Sequence, residues 1–375
     1  MLNKRAQTEI DAFFAQLYQT PEEIRQVTSS AFTQCRNKIR YSAFSAACWA
    51  LVQYFYNNFN FKKYYGLRLI AIDGSVYTLP KTKETIKVFG ENALTESGKW
   101  IKAQVSFAAD VLNNICVDAA IGPYKESEAR QALGHLSKLG RNNLYLFDRG
   151  YFGRLFLREV IQTGCQFCFR VQSNACREVI LFINSSHTDT IAYIDVEGEK
   201  IKVRLTKIML DSGKEEYLVT SLFDTKTFTI ARLKALYNFR WGVEEQYKDM
   251  KYAICVENFI GKKPNSIKQE FFANILTYNL SMMSCKQLVD YASNNNKKNK
   301  NKKHKYKANK RAILAKIKQC FVKLFWGMGK AYEILDGIIK SVAKESVPIR
   351  EGRKYPRSIT KKAKRKTYRA YVAVV

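Results

Sequence analysis

Two apolar runs in this chain each stop at an aspartate: Leu67-Arg-Leu-Ile-Ala-Ile72 before Asp73, and Asn143-Leu-Tyr-Leu-Phe147 before Asp148. A short run without polar alternation fits a strand buried on both faces, as in a parallel or mixed sheet covered by helices. An aspartate closing such a strand stands where the backbone opens into a loop. Asp73-Gly74 reads as that exit.

The segments around these runs alternate in character. Residues 5 to 60 read as helices. Thr20-Pro21-Glu22-Glu23 combines a cap, a first-turn proline and a glutamate three residues on, and Ile24, Val27 and Ala31 or Phe32 follow at helical spacing. After a break at Ser29-Ser30, a second basic helix carries Arg36, Lys38 and Arg40. The pair fits a helix-turn-helix or a plain helical bundle. Beyond the first aspartate, KAQVSFAAD and NICVDAAIG read as a hairpin about Asp110 to Asn114. SEARQALGHLSKLG is a helix closed by Gly140, FGRLFLREVIQTG a helix closed by Gly164, and CQFCFRVQS a strand. From 174 to 225 the segments REVILFI, TIAYIDV, KIKVRLTKIML and EEYLVTSLF read as strands, and a helix covers about 229 to 253. Residues 266 to 290 are helical, 293 to 311 are low-complexity and expected to be disordered without a partner, and Ile313, Ile317, Phe321 and Leu324 mark a further helix.

The formal net charge is +30, and residues 297–375 hold 25 Lys+Arg against 4 Asp+Glu, a net +21. Such an excess suits a polyanion, with nucleic acid ahead of a membrane surface. The basic C-terminal end, with Tyr355, Tyr368 and Tyr371 among its lysines and arginines, reads as a clamp on phosphates or as a solubilising tail. Nine scattered cysteines, an odd number in mostly apolar segments, read as reduced core residues of a cytoplasmic protein. Cys165 and Cys168 with Cys176 and His187 do not make a convincing zinc set, because residues three apart on a strand face opposite ways. The N-terminus lacks a signal peptide and no segment reaches the length of a membrane span. No membrane and no small-molecule substrate are expected.

Tyr237, Arg240, Glu244 and Lys251 fall on one face if their segment is helical. Arg and Lys suit phosphate oxygens, and a carboxylate beside them suits a hard metal ion that also touches phosphate. Asp73, Asp148 and Glu244 together make a candidate site for two-metal phosphodiester chemistry. Each also has a structural reading: the two aspartates as turn residues, Glu244 as a solvated helix residue with Glu245 as its rival. Arg149 and Arg170 either line the cleft or serve as ion-pair partners.

The spacing Tyr-x2-Arg-x3-Glu-x6-Lys, met by Tyr237, Arg240, Glu244 and Lys251, resembles the signature of IS4-family DDE transposases. Asp73-Gly74-Ser75 and Asp148-Arg149-Gly150-Tyr151-Phe152 resemble the family's two aspartate blocks. The resemblance covers roughly 67 to 290. It implies an α/β fold: an RNase H-like mixed sheet core with a β-rich insertion between the second Asp and the Glu, flanked by helical N- and C-terminal regions. The implied division is a helical DNA-binding region at 1–64, core at 65–173, insertion at 174–225, core again at 226–292, and a basic helical or disordered region at 293–375. Asp73, Asp148 and Glu244 would bind two Mg²⁺ or Mn²⁺ ions, and Tyr237, Arg240 and Lys251 would contact DNA phosphates. The family cuts at the terminal inverted repeats of an insertion sequence and joins the 3′-hydroxyl ends to target DNA, and some members pass through a hairpin. DNA is the implied partner, with a homodimer in the DNA complex, in the bacterial cytoplasm at the nucleoid. The residues alone also admit an RNase H-like nuclease or resolvase without strand transfer, or a non-catalytic DNA-binding regulator.

Overall fold

A computed structural model describes residues 6–20, 25–90, 101–211, 213–251, 256–298, 306–307, 309–326, 331–345 and 347–348. In chain order the elements begin with α1 (Ala6–Tyr18), α2 (Ser29–Asn37), α3 (Tyr41–Asn58), β1 (Arg68–Leu79), α4 (Lys83–Phe89), β2 (Ile101–Asp110) and β3 (Ile115–Pro123). There follow α5 (Glu128–Leu139), β4 (Asn143–Phe147), α6 (Arg154–Gln162), β5 (Gln166–Val171), α7 (Arg177–Ile183), β6 (Asp189–Val196), β7 (Glu199–Met209) and β8 (Glu215–Thr220). The remainder are α8 (Ile230–Asn238), α9 (Trp241–Asp249), α10 (Pro264–Lys298), β9 (Tyr306–Lys307), α11 (Lys310–Phe325), α12 (Ala331–Lys344) and β10 (Val347–Pro348). The chain divides into two compact units, Tyr56–Tyr77 with Lys102–Tyr247, and Met1–Phe55 with Thr78–Ile101 and Lys248–Val375.

The Tyr56–Tyr77 and Lys102–Tyr247 unit is built on a mixed sheet in the order β3-β2-β1-β4-β5-β8-β7-β6. β4 runs parallel to both β1 and β5, and the pairs β2–β3, β5–β8, β8–β7 and β7–β6 are antiparallel. The two apolar runs are the central strands. Leu69–Ile72 and Leu144–Phe147 are buried without a break, as strands covered on both faces must be. Phe147 stacks on Phe169 with ring centroids 4.6 Å apart, each ring worth ~2–3 kcal/mol of burial. α5 starts at Ser127, whose hydroxyl accepts from the Arg130 amide, and buries Ala132, Leu136 and Leu139. α6 buries Phe156, Leu157 and Val160. The β-rich stretch is not a separate sheet. β8 joins the free edge of β5 (Cys168↔Thr220 to Val171↔Tyr217), so β6–β8 prolong the core sheet. This is the helix-covered mixed α/β architecture that the resemblance implied.

In the other unit the basic end of α2 is tied to the start of α10. Arg36 Nη2 meets Glu270 Oε1 at 2.7 Å and donates to the Ser266 carbonyl at 2.6 Å, while Gln269 Nε2 donates to the Arg36 carbonyl at 3.0 Å. A three-residue turn separates α2 from α3, a geometry open to both readings of this pair. No described helix is long and apolar enough to cross a membrane.

Several expectations are corrected. Residues 21–24 lie outside the described residues, but 25–28 are not helical. The helix starts at Ser29, the expected break, because Thr28 caps it by accepting from the Ala31 amide at 3.1 Å. β1 does not end at Asp73; it runs on to Leu79. The REVILFI run is a helix, α7, with Val179 and Phe182 buried. Seven apolar residues do not reveal their period, and Lys207 Nζ settles the helix by donating to the Ile183 and Ser185 carbonyls at its end. The helix expected over 229–253 is two, α8 and α9, separated at Phe239–Arg240. Of the low-complexity segment, 293–298 continue α10 and 306–307 form β9, while 299–305 and 308 lie outside the described residues, as do 252–255 and the basic end from 349 on.

Candidate active site

In the β1–β4 ladder Arg68 pairs with Asn143 and Ala71 with Leu146. Asp73 lies two residues past the last β1 partner of that ladder and Asp148 two residues past the last β4 partner, so both carboxylates follow it at the same offset. The α8–α9 pair is fastened to β1 at Asp73 and to β4 at Phe147. The Tyr247 hydroxyl, on α9, donates to the Asp73 carbonyl at 2.7 Å, and its ring stacks on Phe107 at 4.3 Å. The Tyr237 hydroxyl, at the end of α8, donates to the carbonyl of Phe147 at 3.3 Å, one residue before Asp148. Glu244 lies one turn before Tyr247, on the same helix face. The turn between the helices places α9 close to the β2–β3 hairpin: a Cβ on Gly242 would sit 2.9 Å from the Val111 side chain, so a bare glycine is what fits.

Asp73 and Asp148 differ in surroundings. The Asp148 Oδ1 accepts from the Arg149 amide at 2.7 Å and from Arg170 Nε and Nη2 at 2.9 and 2.6 Å. Arg170 is itself braced by Glu216 at 2.6 Å, so the ion-pair reading of Arg170 is the one seen. Burial opposes ionisation of Asp148, but the Arg149 amide and the Arg170 guanidinium outweigh it and hold its pKa below the ordinary value. Asp73 takes only the Gly74 amide, at 3.0 Å on Oδ1. Burial, with Glu244 and Glu128 adding to it against Arg240 and the Gly74 amide, pushes Asp73 up to about 6. Glu128 is close because Gly74 lacks a side chain; a Cβ there would lie 2.5 Å from the Glu128 carboxyl carbon. That packing explains a glycine inside a strand.

Arg240 is almost fully buried. Its Nη2 meets Glu244 Oε1 at 2.8 Å, its guanidinium lies over the Trp241 ring at 4.6 Å, and its charge also acts on Asp73 and Asp148. Its Nε is buried with no hydrogen-bond partner. Glu244 is half-buried and paired, whereas its rival Glu245 is exposed. Tyr237 is buried with its hydroxyl on the backbone, rather than presented at the surface. Lys251 belongs to the other unit, where its Nζ meets Glu257 Oε1 at 3.2 Å. Tyr151, of the second aspartate block, has a buried hydroxyl that burial, then Glu128, Asp73 and Asp148, push well above the ordinary tyrosine value.

Carboxylate oxygens are the donors that Mg²⁺ and Mn²⁺ take, and a buried aspartate with a raised pKa beside further acids suits a cation. Among the described residues no three His, Cys, Asp or Glu side chains are gathered closely enough to hold an ion. Two of the three carboxylates are engaged by arginines: Arg170 meets Asp148, and Arg240 meets Glu244. Sequence reading missed Tyr247 and Glu128. Tyr247 was legible in principle, three residues from Glu244 on one helix face; Glu128 had no signal, because only the fold carries it to Gly74.

A family model, the transposase DDE domain, matches residues 64–280, which hold all three carboxylates and the whole Tyr237–Lys251 stripe. The chain belongs to the DDE transposase family. The IS4-type resemblance agrees with a relative from Escherichia coli (strain K12), the transposase InsG for insertion sequence element IS4, which is 25% identical over 271 residues. That match takes in 68% of this chain and 60% of the relative, so the DDE transposase described here spans about three-fifths of InsG's length. Among solved structures, a piggyBac transposase synaptic complex with hairpin DNA is similar at a TM-score of 0.41 and 12% identity, over 74% of this chain and 53% of that one.

Proposed function

We propose that this chain is a DNA transposase that cuts at the terminal inverted repeats of an insertion sequence and joins the freed 3′-hydroxyls to target DNA. Asp73, Asp148 and Glu244 would be the carboxylates that hold two Mg²⁺ or Mn²⁺ ions, and such ions would supply activation of the attacking oxygen and stabilisation of the leaving one. The observation that supports this reading is that Asp73 and Asp148 follow the parallel β1–β4 ladder at the same offset, while α9, which carries Glu244, is bonded to the Asp73 carbonyl through Tyr247, and α8 to the Phe147 carbonyl through Tyr237. Arg170 keeps Asp148 ionised and oriented, engaging Oδ1 alone. Arg240 neutralises Glu244, and its Nε, without a hydrogen-bond partner among the described residues, would be a donor for a DNA phosphate. Lys251 and Tyr237 supply further phosphate contacts. The basic excess of the chain steers DNA towards it. Two protomers pair the two ends of the element.

The test is cleavage of end DNA with Mg²⁺. Asp73→Ala, Asp148→Ala and Glu244→Ala are each expected to lower cleavage by about 10³-fold or more while DNA binding survives. Full nicking by any of them removes that residue from the metal set. Cleavage of unpaired or unrelated DNA with no strand transfer would support the nuclease alternative instead.

A further inference from the structure

A buried chain of polar side chains leads from the surface to the backbone of Asp73. Asp118, on β3, receives Lys138 Nζ on Oδ1 at 2.6 Å and faces His135 Nδ1 with Oδ2 at 2.7 Å. His135 Nε2, on the other side of the ring, lies 3.1 Å from the Ser106 hydroxyl, on β2. Ser106 in turn donates to the Asp73 carbonyl at 3.4 Å, beside the 2.7 Å bond from Tyr247. His135 and Ser106 are essentially inaccessible.

The residue types would suit a nucleophilic serine with a histidine base, but burial of Ser106 leaves a substrate no access to it. The order of contacts fits another task. The carboxylate fixes the imidazole ring, the ring fixes the serine rotamer, and the hydroxyl reaches the backbone of the aspartate that β4 no longer pairs. The β1–β4 ladder ends at Ala71↔Leu146. Beyond it, the Asp73 carbonyl has Tyr247 on one side and Ser106 on the other to set its peptide plane, and with it the direction of the Asp73 side chain.

We propose, resting on the reading of Asp73 as a metal ligand, that Asp118, His135 and Ser106 form a positioning relay that holds the Asp73 backbone in the orientation for metal binding. None of the three touches metal or DNA. Their substitution acts on the affinity of the metal-free, DNA-free protein for a divalent ion, and on kcat more than on KM for end DNA.

The experiment titrates the full-length DNA-free protein with Mn²⁺, reads free Mn²⁺ by electron paramagnetic resonance, and records the thermal midpoint of each variant. Ser106→Ala, which removes one oxygen and is the variant least able to disturb packing, is expected to weaken Mn²⁺ binding about 5- to 20-fold. His135→Asn keeps an amide near the Nδ1 position and so reaches Asp118 alone; it is expected to weaken binding to the same degree. His135→Gln extends an amide to the Nε2 position and so reaches Ser106; it is expected to restore most of the affinity. A purely structural histidine predicts no such Asn–Gln difference beyond the shift in midpoint. Equal Mn²⁺ affinity in wild type, Ser106→Ala and His135→Asn overturns the relay, as does equal loss in His135→Asn and His135→Gln. Asp73→Ala separates the two readings. If it abolishes tight Mn²⁺ binding and Ser106→Ala does not weaken it, the relay alone fails; if Asp73→Ala binds Mn²⁺ as wild type does, the metal role of Asp73 fails.

Discussion

The parallel β1–β4 ladder is followed on both strands by an aspartate at the same offset, and the two aspartates are treated in opposite ways. After β4, Arg170 and the Arg149 amide crowd onto one oxygen of Asp148 and stabilise its charge. Within β1, Asp73 has burial and two nearby glutamates against it, and the charge of Arg240 and the Gly74 amide in its favour. One aspartate is held ionised by its partners; the other holds its proton more tightly than an ordinary carboxylate. Identical residue types in a motif therefore do not imply identical jobs, because the environment sets the charge and its timing.

The contrast breaks most sharply at Arg170. Arg170→Ala leaves Asp148 half-buried without its counter-charge and Glu216 without its partner. Cleavage is expected to fall about 10- to 100-fold, read as single-turnover nicking, with a much smaller change in DNA affinity. An unchanged rate would show that the clamp on Asp148 is dispensable.

Tyr247→Phe removes the short bond to the Asp73 carbonyl while keeping the ring on Phe107. About a tenfold loss of cleavage rate is expected, the scale of one buried hydrogen bond. The matching change at the other strand end, Tyr237→Phe, removes a longer bond and is expected to cost less through positioning; a larger loss than at Tyr247 would point to a direct phosphate contact.

The pH dependence sharpens the comparison further. Asp73 has its folded pKa raised to about 6 from an ordinary 3.8. The folded state therefore binds more protons between those values, and stability falls as pH rises through that window. Asp73→Asn should stabilise the metal-free protein above about pH 6, by on the order of 1–2 kcal/mol after screening, and by nothing near pH 4. Asp148, with its pKa lowered, has the opposite sign: its contribution is present above the unfolded value and is lost as pH falls through the folded one. Urea midpoints of the two Asn variants at both pH values decide the matter.

The smallest effect is expected at Arg240. Arg240→Gln removes a cation that competes for Glu244 and should tighten Mn²⁺ binding without DNA by about two- to fivefold, while DNA cleavage falls. Weaker Mn²⁺ binding would mean that Arg240 organises the acids rather than neutralising them.

Much of this was legible in the chain because local chemistry and tertiary role agreed. The runs before Asp73 and Asp148 could only be buried strands, and Ser127 and Gly140 bounded α5 as capping rules require. Reading failed where a distant residue decided. REVILFI is helical with Lys207 across its end, and β1 passes through Asp73-Gly74 because Glu128 packs where a side chain would be. The site shows the same divide. Tyr237, Arg240 and Glu244 announce themselves by spacing, whereas the Ser106, His135 and Asp118 contacts join two strands and a helix that no sequence interval connects.

The polypeptide passes between the two compact units four times, at Phe55/Tyr56, Tyr77/Thr78, Ile101/Lys102 and Tyr247/Lys248. All four fall inside regular elements, near one end of α3, β1, β2 and α9. No stop codon or single protease nick can separate the two units, because each is assembled from more than one stretch of chain. The contribution of each unit is therefore dissected by point substitution rather than by cutting the chain between them.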